Sequence, residues 1–190
     1  KTGKTAGTSI EVYLSSLCGM QDILTPIYPH VDPHKARNYE VENYRNHMPA
    51  KEIKLLLGDE TWTQYYKFCV ERNPWDKTLS HYSMLNFRAD GKLSLDEYFE
   101  NGLFCSNFGA YTDTSGEILV DKILRYEDLS MELAGVFGSL GVPFTGDLGV
   151  TAKGDYRKDK RHYSEVLSSE QAETIARVFQ REIELLGYRY

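Results

Sequence analysis

The sequence predicts an α/β domain in which helices flank a mainly parallel sheet. Three observations lead there. Apolar stripes at helical spacing recur along the chain, short apolar runs of strand character alternate with them, and 190 residues with 41% hydrophobic content suffice for one substantial core. Alternation of this kind is the pattern of layered α/β folds with parallel pairing. A single domain over residues 1–190 is therefore expected.

The elements follow in order. Thr8 and Ser9 precede Ile10, Tyr13, Leu14 and Leu17, a one-sided helical stripe that ends near Gly19. Residues 21–38 are rich in Pro, His and Asp and read as irregular connection, with a short strand expected over 39–45. Pro49 suits a first helical residue, Ile53, Leu56 and Leu57 form the stripe behind it, and Gly58 closes it before a second short helix over 60–64. The run 65–70 (YYKFCV) reads as a buried strand, and the chain re-enters a helix near Trp75 or Asp76 that runs to about Leu85. Ser94 is placed to cap a helix over 95–100, and the turn TDTSG at 112–116 precedes a strand over 118–124. Asp128 or Ser130 caps the next helix, which carries Leu133, Val136, Phe137 and Leu140 and stops at Gly141. Ser168 and Gln171 then make a capping-box pattern for a final helix with Ala172, Ile175, Ala176, Phe179, Ile183 and Leu186 on one face and Gly187 at its end.

Composition narrows the function classes. Lys plus Arg is 22 against 28 Asp plus Glu, a formal net charge of −6, which disfavours non-specific binding to nucleic acid. Charge is uneven, however, because residues 151–163 hold Lys153, Arg157, Lys158, Lys160 and Arg161 against only Asp155 and Asp159. A basic loop on an acidic protein suits a small polyanion, although solvated loops share this composition. Three cysteines without a CxxC pair argue for reduced thiols, and no apolar stretch approaches the roughly 20 residues a membrane-spanning helix needs, so a cytoplasmic protein is expected. The chain starts at Lys1 rather than Met, which leaves room for an upstream segment or anchor.

Two motifs carry chemistry. The first is Gly3-Lys4-Thr5-Ala6-Gly7-Thr8-Ser9, a small-residue loop with a lysine that opens into a helix. Backbone N–H groups and the helix dipole make such a loop an anion site, with Thr5, Thr8 and Ser9 adding hydroxyls and Lys4 a charge. An ordinary capped helix after a glycine turn gives the same pattern. Gly3-Lys4-Thr5 also matches the tail of a Walker A loop, although a Walker helix starts at the lysine and here the loop runs on to Thr8. The second motif is Arg72-Asn73-Pro74-Trp75-Asp76 followed by Ser80, at a strand end entering a helix. One turn separates Asp76 from Ser80, so the Ser80 hydroxyl points back toward the loop of Arg72, and an arginine fork plus a hydroxyl holds a phosphate. The alternative is that Arg72 pairs with a carboxylate and Ser80 faces solvent.

Both motifs resemble those of the sulfotransferases that use 3′-phosphoadenosine 5′-phosphosulfate. In that superfamily a PKTGGTS-type loop takes the 5′-phosphosulfate and an RNPWDR segment followed by serine takes the 3′-phosphate. Residues 122–129 (KILRYEDL) resemble its strand ending in YEDL, and Arg161-His162-Tyr163 with the final helix resembles the carbohydrate sulfotransferase C-terminus. Departures are Gly3 where proline is usual and Lys77 where arginine is frequent.

The resemblance implies a P-loop-NTPase-like layered fold, whose first central strand is expected before Lys1 and is missing from this sequence, and an enzyme that moves a sulfuryl group from the donor nucleotide to a hydroxyl of a carbohydrate or other small acceptor. Lys4 would stabilise the leaving group, backbone donors of Gly3 to Ser9 the 5′-phosphosulfate, Arg72 and Ser80 the 3′-phosphate, and Arg157 and Arg161 would reach the donor from the basic stretch. No metal is implied. His47 is the expected general base, with Glu11 a secondary candidate, and His30 and His34 either acceptor-site residues or plain loop. His30, His34 and His47 lack recognisable zinc-ligand spacing. Trp75 is expected to pack beneath the Arg72 loop, Tyr156 or Tyr163 to stack near adenine, and Glu127 and Asp128 to order a loop and cap a helix. Two other readings remain at this point: a P-loop kinase-like enzyme using ATP and magnesium, for which Asp121 or Asp128 would be the metal carboxylate, and a non-catalytic nucleotide-binding module.

Overall fold

The computed structural model describes residues 1–41 and 43–190. In chain order the elements are α1 (Gly7–Ser15), α2 (Ala50–Gln64), β1 (Phe68–Glu71), α3 (Pro74–Arg88), α4 (Leu95–Glu100), α5 (Phe108–Tyr111), β2 (Lys122–Arg125), α6 (Leu129–Leu140), α7 (Tyr163–Val166), α8 (Ser169–Val178) and α9 (Gln180–Leu186). Single 3₁₀ turns occupy Tyr126–Asp128 and Gly154–Tyr156. The described residues thus form a mixed helix and strand protein with a two-stranded parallel sheet flanked by helices. Phe68 to Glu71 pair in register with Lys122 to Arg125. Pairing opens at Lys67, whose N–H donates to the Asp121 carboxylate at 2.6 Å while its carbonyl accepts from the Asp121 N–H at 2.8 Å.

The chain divides into two compact units, residues 1–71 with 109–152 and residues 72–108 with 153–190. The first unit is built on the sheet. Val70 and Leu124 pack with Ile10 of α1 and with Leu133, Val136 and Phe137 of α6. Tyr13 stacks on Phe137 and meets Phe144 edge-on, so α1, α6 and the segment after α6 share one aromatic seam. The second unit centres on Trp75 and Leu79 of α3, which pack with Leu167, Ala172, Ile175, Phe179 and Tyr188. Trp75 Nε1 donates to the Ala172 carbonyl at 3.0 Å, the partner a buried indole requires. Trp75 is the packing residue the sequence suggests.

Local signals placed several boundaries. Ser94 and Glu97 form a capping box, as do Ser168 and Gln171, and Gly141 and Gly187 end their helices in the left-handed conformation. Gly58 breaks α2 with φ +76, leaving two helical stretches as the sequence suggests, although Pro49 occupies the cap position and the helix starts at Ala50.

Elsewhere the expectations need correction. Helix α1 starts at Gly7, so Thr8 and Ser9 lie inside its first turn rather than before it. No strand forms at Tyr39 to Val41 or Asn43 to Arg45, which lie in turns and irregular chain, and residue 42 of that expected strand lies outside the described residues. The aromatic run before Phe68 stays out of the sheet with Tyr65 and Tyr66 exposed, and Ile118 joins only an isolated bridge to Thr112, so the second strand begins at Lys122. Helix α3 runs beyond Leu85 to Arg88, and the final helix breaks at Phe179 (φ −105, ψ 25) into α8 and α9. Phe179 is fully buried, and its packing against Trp75 and Ile175 overrides an unbroken helical periodicity.

Leu133 is fully buried between α6 and the sheet in the first unit. Leu133→Ala is expected to lower unfolding free energy by about 2–5 kcal/mol, read as a lower midpoint with unchanged slope in urea denaturation.

Candidate functional site

In the first unit the loop before α1 is fastened to the end of β1. The buried Thr2 hydroxyl donates to the Val70 carbonyl at 2.5 Å and lies 2.8 Å from the buried Thr5 hydroxyl. Between and after these anchors, Lys4 (φ 62) and Ala6 (φ 56) take the left-handed conformation, which disfavours residues with a Cβ by roughly 1–2 kcal/mol each. Ala6 is the cap residue of α1 and has no side chain to accept from the first-turn N–H groups, and no acidic residue stands in that turn. The helix therefore presents its positive end, through the N–H groups of Gly7, Thr8 and Ser9, without neutralisation by a capping side chain or first-turn carboxylate. Gly7 packs against the aliphatic stem of Lys1, which a Cβ there would meet at 3.1 Å. Ser9 is buried, and its hydroxyl oxygen accepts from the Ala152 N–H at 3.0 Å, so it also anchors the segment after α6.

His47 belongs to the same unit. Its Nδ1 lies 2.9 Å from the Lys1 carbonyl, and because a carbonyl only accepts, Nδ1 carries the proton. The other ring nitrogen is then the basic one, on a residue that is exposed and held in the left-handed conformation (φ 58). The segment preceding α2 thus tethers an imidazole to the start of the small-residue loop.

Sequence reasoning did not foresee the cluster behind α1. Glu11 accepts from the Thr25 hydroxyl at 3.1 Å, pairs with the Lys1 ammonium, and stands 3.6 Å from Nε2 of His34, a residue only 1% exposed. His34 is therefore a buried residue of the irregular connection beside Glu11 of α1, and among the described residues its Nε2 has no hydrogen-bond partner. Burial is the largest influence on its ring and, with the charges of Lys1 and His30, outweighs Glu11 to push its pKa below the usual histidine range. His30 lies outside this cluster, exposed and 3.0 Å from Asp32.

In the second unit Arg72 leaves the end of β1 and turns onto α3. Its Nε and Nη2 reach Asp76 Oδ2 at 2.7 and 2.6 Å, while Arg157 Nη1 donates to Asp76 Oδ1. Arg157 also donates to the carbonyls of Asp159 (2.8 Å) and Arg161 (2.7 Å), which wraps its own segment around the guanidinium. Burial opposes ionisation of Asp76, but the Arg72 charge and the hydrogen bonds from Arg157 and Arg72 outweigh it and hold the carboxyl below its ordinary range. The structure therefore brings Arg72 and Arg157 together around one carboxylate, so Arg72 pairs with a carboxylate as the alternative reading of this motif has it. Ser80 is half-buried one turn along α3 from Asp76. Arg161 is turned elsewhere, exposed and engaged with the Asp159 carboxylate at 2.6 Å.

The remaining candidates lie in other surroundings. Tyr156 packs on Phe87 of α3 with ring centroids 5.0 Å apart, and Tyr163 stacks on Trp75 at 6.2 Å. Asp128 occupies the cap position of α6 but makes no side-chain cap bond, and Glu127 is exposed beside it. Asp121 is committed to the N–H of Lys67 and, at 3.0 Å, to its ammonium. Among the described residues no group of three or more His, Cys, Asp or Glu side chains is arranged to hold a metal ion. Among them, too, no helix is long and apolar enough to cross a membrane.

No protein-family model matches the chain. No solved structure matches it significantly. A protein of Archaeoglobus fulgidus, described only as an uncharacterized protein, is 34% identical over 118 residues, which span 58% of this chain and 98% of that protein. The chain belongs to the same family as this archaeal protein.

The lowered pKa of His34 fixes the sign of a pH effect. The unfolded chain binds a proton at this residue near pH 6.5 and the folded chain only at lower pH, so stability is full above about pH 6.5 and declines below it. Urea titrations between pH 7.5 and 5.5 are expected to show that decline in wild type and a flatter profile in His34→Gln.

Proposed function

We propose that the chain is a sulfotransferase of the superfamily that uses 3′-phosphoadenosine 5′-phosphosulfate, built on a P-loop-NTPase-like layered fold, and that its acceptor is a hydroxyl of a carbohydrate or other small molecule. The observation that carries this reading is the pair of guanidiniums, Arg72 and Arg157, gathered at the start of α3 immediately after β1. A terminal 3′-phosphate is a dianion that such a pair recognises, and ATP offers none. The motif likeness at Gly3 to Ser9 and at Arg72 to Ser80 supports the same assignment.

On this reading the uncapped first turn of α1 takes the oxygens of the 5′-phosphosulfate, with the hydroxyls of Thr5 and Thr8 around it. Arg72, Arg157 and Ser80 take the 3′-phosphate. The basic nitrogen of His47 accepts the proton of the acceptor hydroxyl as its oxygen attacks sulfur in line. The bond between sulfur and the bridging 5′-phosphate oxygen breaks, 3′-phosphoadenosine 5′-phosphate leaves, and Lys4 stabilises the charge that develops on that oxygen. Sulfuryl transfer resembles phosphoryl transfer in its loose transition state, so positioning and fixed positive charge supply most of the rate.

Isothermal titration with 3′-phosphoadenosine 5′-phosphate and with ATP plus magnesium tests the reading. Wild type is expected to prefer the 3′-phosphorylated nucleotide, and Arg72→Ala to weaken it by roughly 10- to 100-fold, the effect of losing a charged hydrogen-bond donor. Lys4→Ala and His47→Ala are expected to bind donor product yet transfer sulfuryl groups at least about 100-fold more slowly. Preference for ATP with magnesium, unchanged by Arg72→Ala, would contradict the proposal.

A further inference from the structure

Asp76 stands between the two arginines at the start of α3. A carboxylate in the first turn of a helix commonly satisfies the free N–H groups there. Here Asn73 does that work, accepting from the N–H of Trp75 at 3.1 Å and of Asp76 at 3.3 Å. Asp76 is thereby left to the arginines, with one oxygen on Arg72 and the other on Arg157. The side chains of Arg72, Arg157 and Asp76 are only 12%, 14% and 25% exposed. Two guanidiniums this far from water repel each other and would separate without an anion between them.

We infer that Asp76 is a positioning residue that sets the specificity of the second unit for a terminal phosphate dianion: its carboxylate keeps Arg72 and Arg157 gathered before the ligand arrives. This rests on the donor reading proposed above. The trio keeps a net charge of +1, so it still attracts a dianion while the geometry is already set, and the ordering of two long side chains is not charged to the binding step. Ser80 lies one turn further along α3. Proximity of two negative groups argues the other way, because a carboxylate repels a phosphate. Removing its charge would tighten binding if repulsion dominated and weaken it if positioning dominates, and the three-way hydrogen bonding favours the second.

A merely structural latch is separable from this role. Tyr156 on Phe87 fastens the same basic segment to α3 independently of Asp76, so Asp76→Asn is expected to fold. The test measures dissociation constants for 3′-phosphoadenosine 5′-phosphate and for adenosine 5′-phosphate on wild type, Asp76→Asn and Asp76→Glu, with thermal melts as the structural control. The expected result is a wild-type preference of tenfold or more for the 3′-phosphorylated nucleotide, a preference below threefold in Asp76→Asn, and an affinity for adenosine 5′-phosphate within twofold throughout. An unchanged or larger preference in Asp76→Asn overturns the inference while leaving the donor reading intact. A wild type without preference overturns both. Should Asp76→Asn not fold, Asp76→Glu decides: a loss of at least threefold in preference supports the role, and none overturns it.

Discussion

A buried hydrogen bond from the Thr2 hydroxyl to the Val70 carbonyl is the point on which the first unit's loop depends. Val70 is fixed by its register with Leu124 and by the apolar seam of α1 and α6, and Thr2 passes that fixed position to the loop. Thr5, three residues later, returns to Thr2, and Lys4 and Ala6 beside these anchors take backbone conformations that neither would choose in isolation. The outcome is a helix whose first turn has no capping side chain. Ser9 repeats the logic on the other side, where it receives the backbone of Ala152.

Electrostatics follows the same division between scaffold and site. The chain is acidic overall, yet three of its acidic groups are already committed: Asp76 to two arginines, Glu11 to Lys1 and Thr25, Asp121 to Lys67. Each commitment takes a negative charge out of competition with an incoming anion and fixes the direction of a cation. Glu11 and His34 face each other at 3.6 Å, a carboxylate on α1 beside a buried imidazole on an irregular connection.

What the sequence made legible was local. Capping boxes at Ser94 and Ser168 and left-handed glycines at 141 and 187 depend on side chains within four residues of the backbone they satisfy, so spacing alone reveals them. The position of Arg72 ahead of α3 and the placement of Ser80 one turn after Asp76 were legible for the same reason. The break at Phe179 and the shortened strand at Lys122 were not, because packing from distant segments decided them. Nor could spacing pair Asp76 with Arg157, 81 positions away, or His34 with Glu11 across an irregular loop. The two-stranded parallel sheet agrees with the α/β class, while the fuller layered architecture remains part of the functional proposal.

What distinguishes the proposed donor is its 3′-phosphate, which Arg72 and Arg157 at the start of α3 would take. Phosphorus NMR of 3′-phosphoadenosine 5′-phosphate reads the two phosphates as separate resonances. The account predicts that both shift on adding the wild-type protein, and that Arg72→Ala returns the 3′ resonance alone toward its free position. Two resonances that stay at their free positions, or that respond identically to Arg72→Ala, would contradict it.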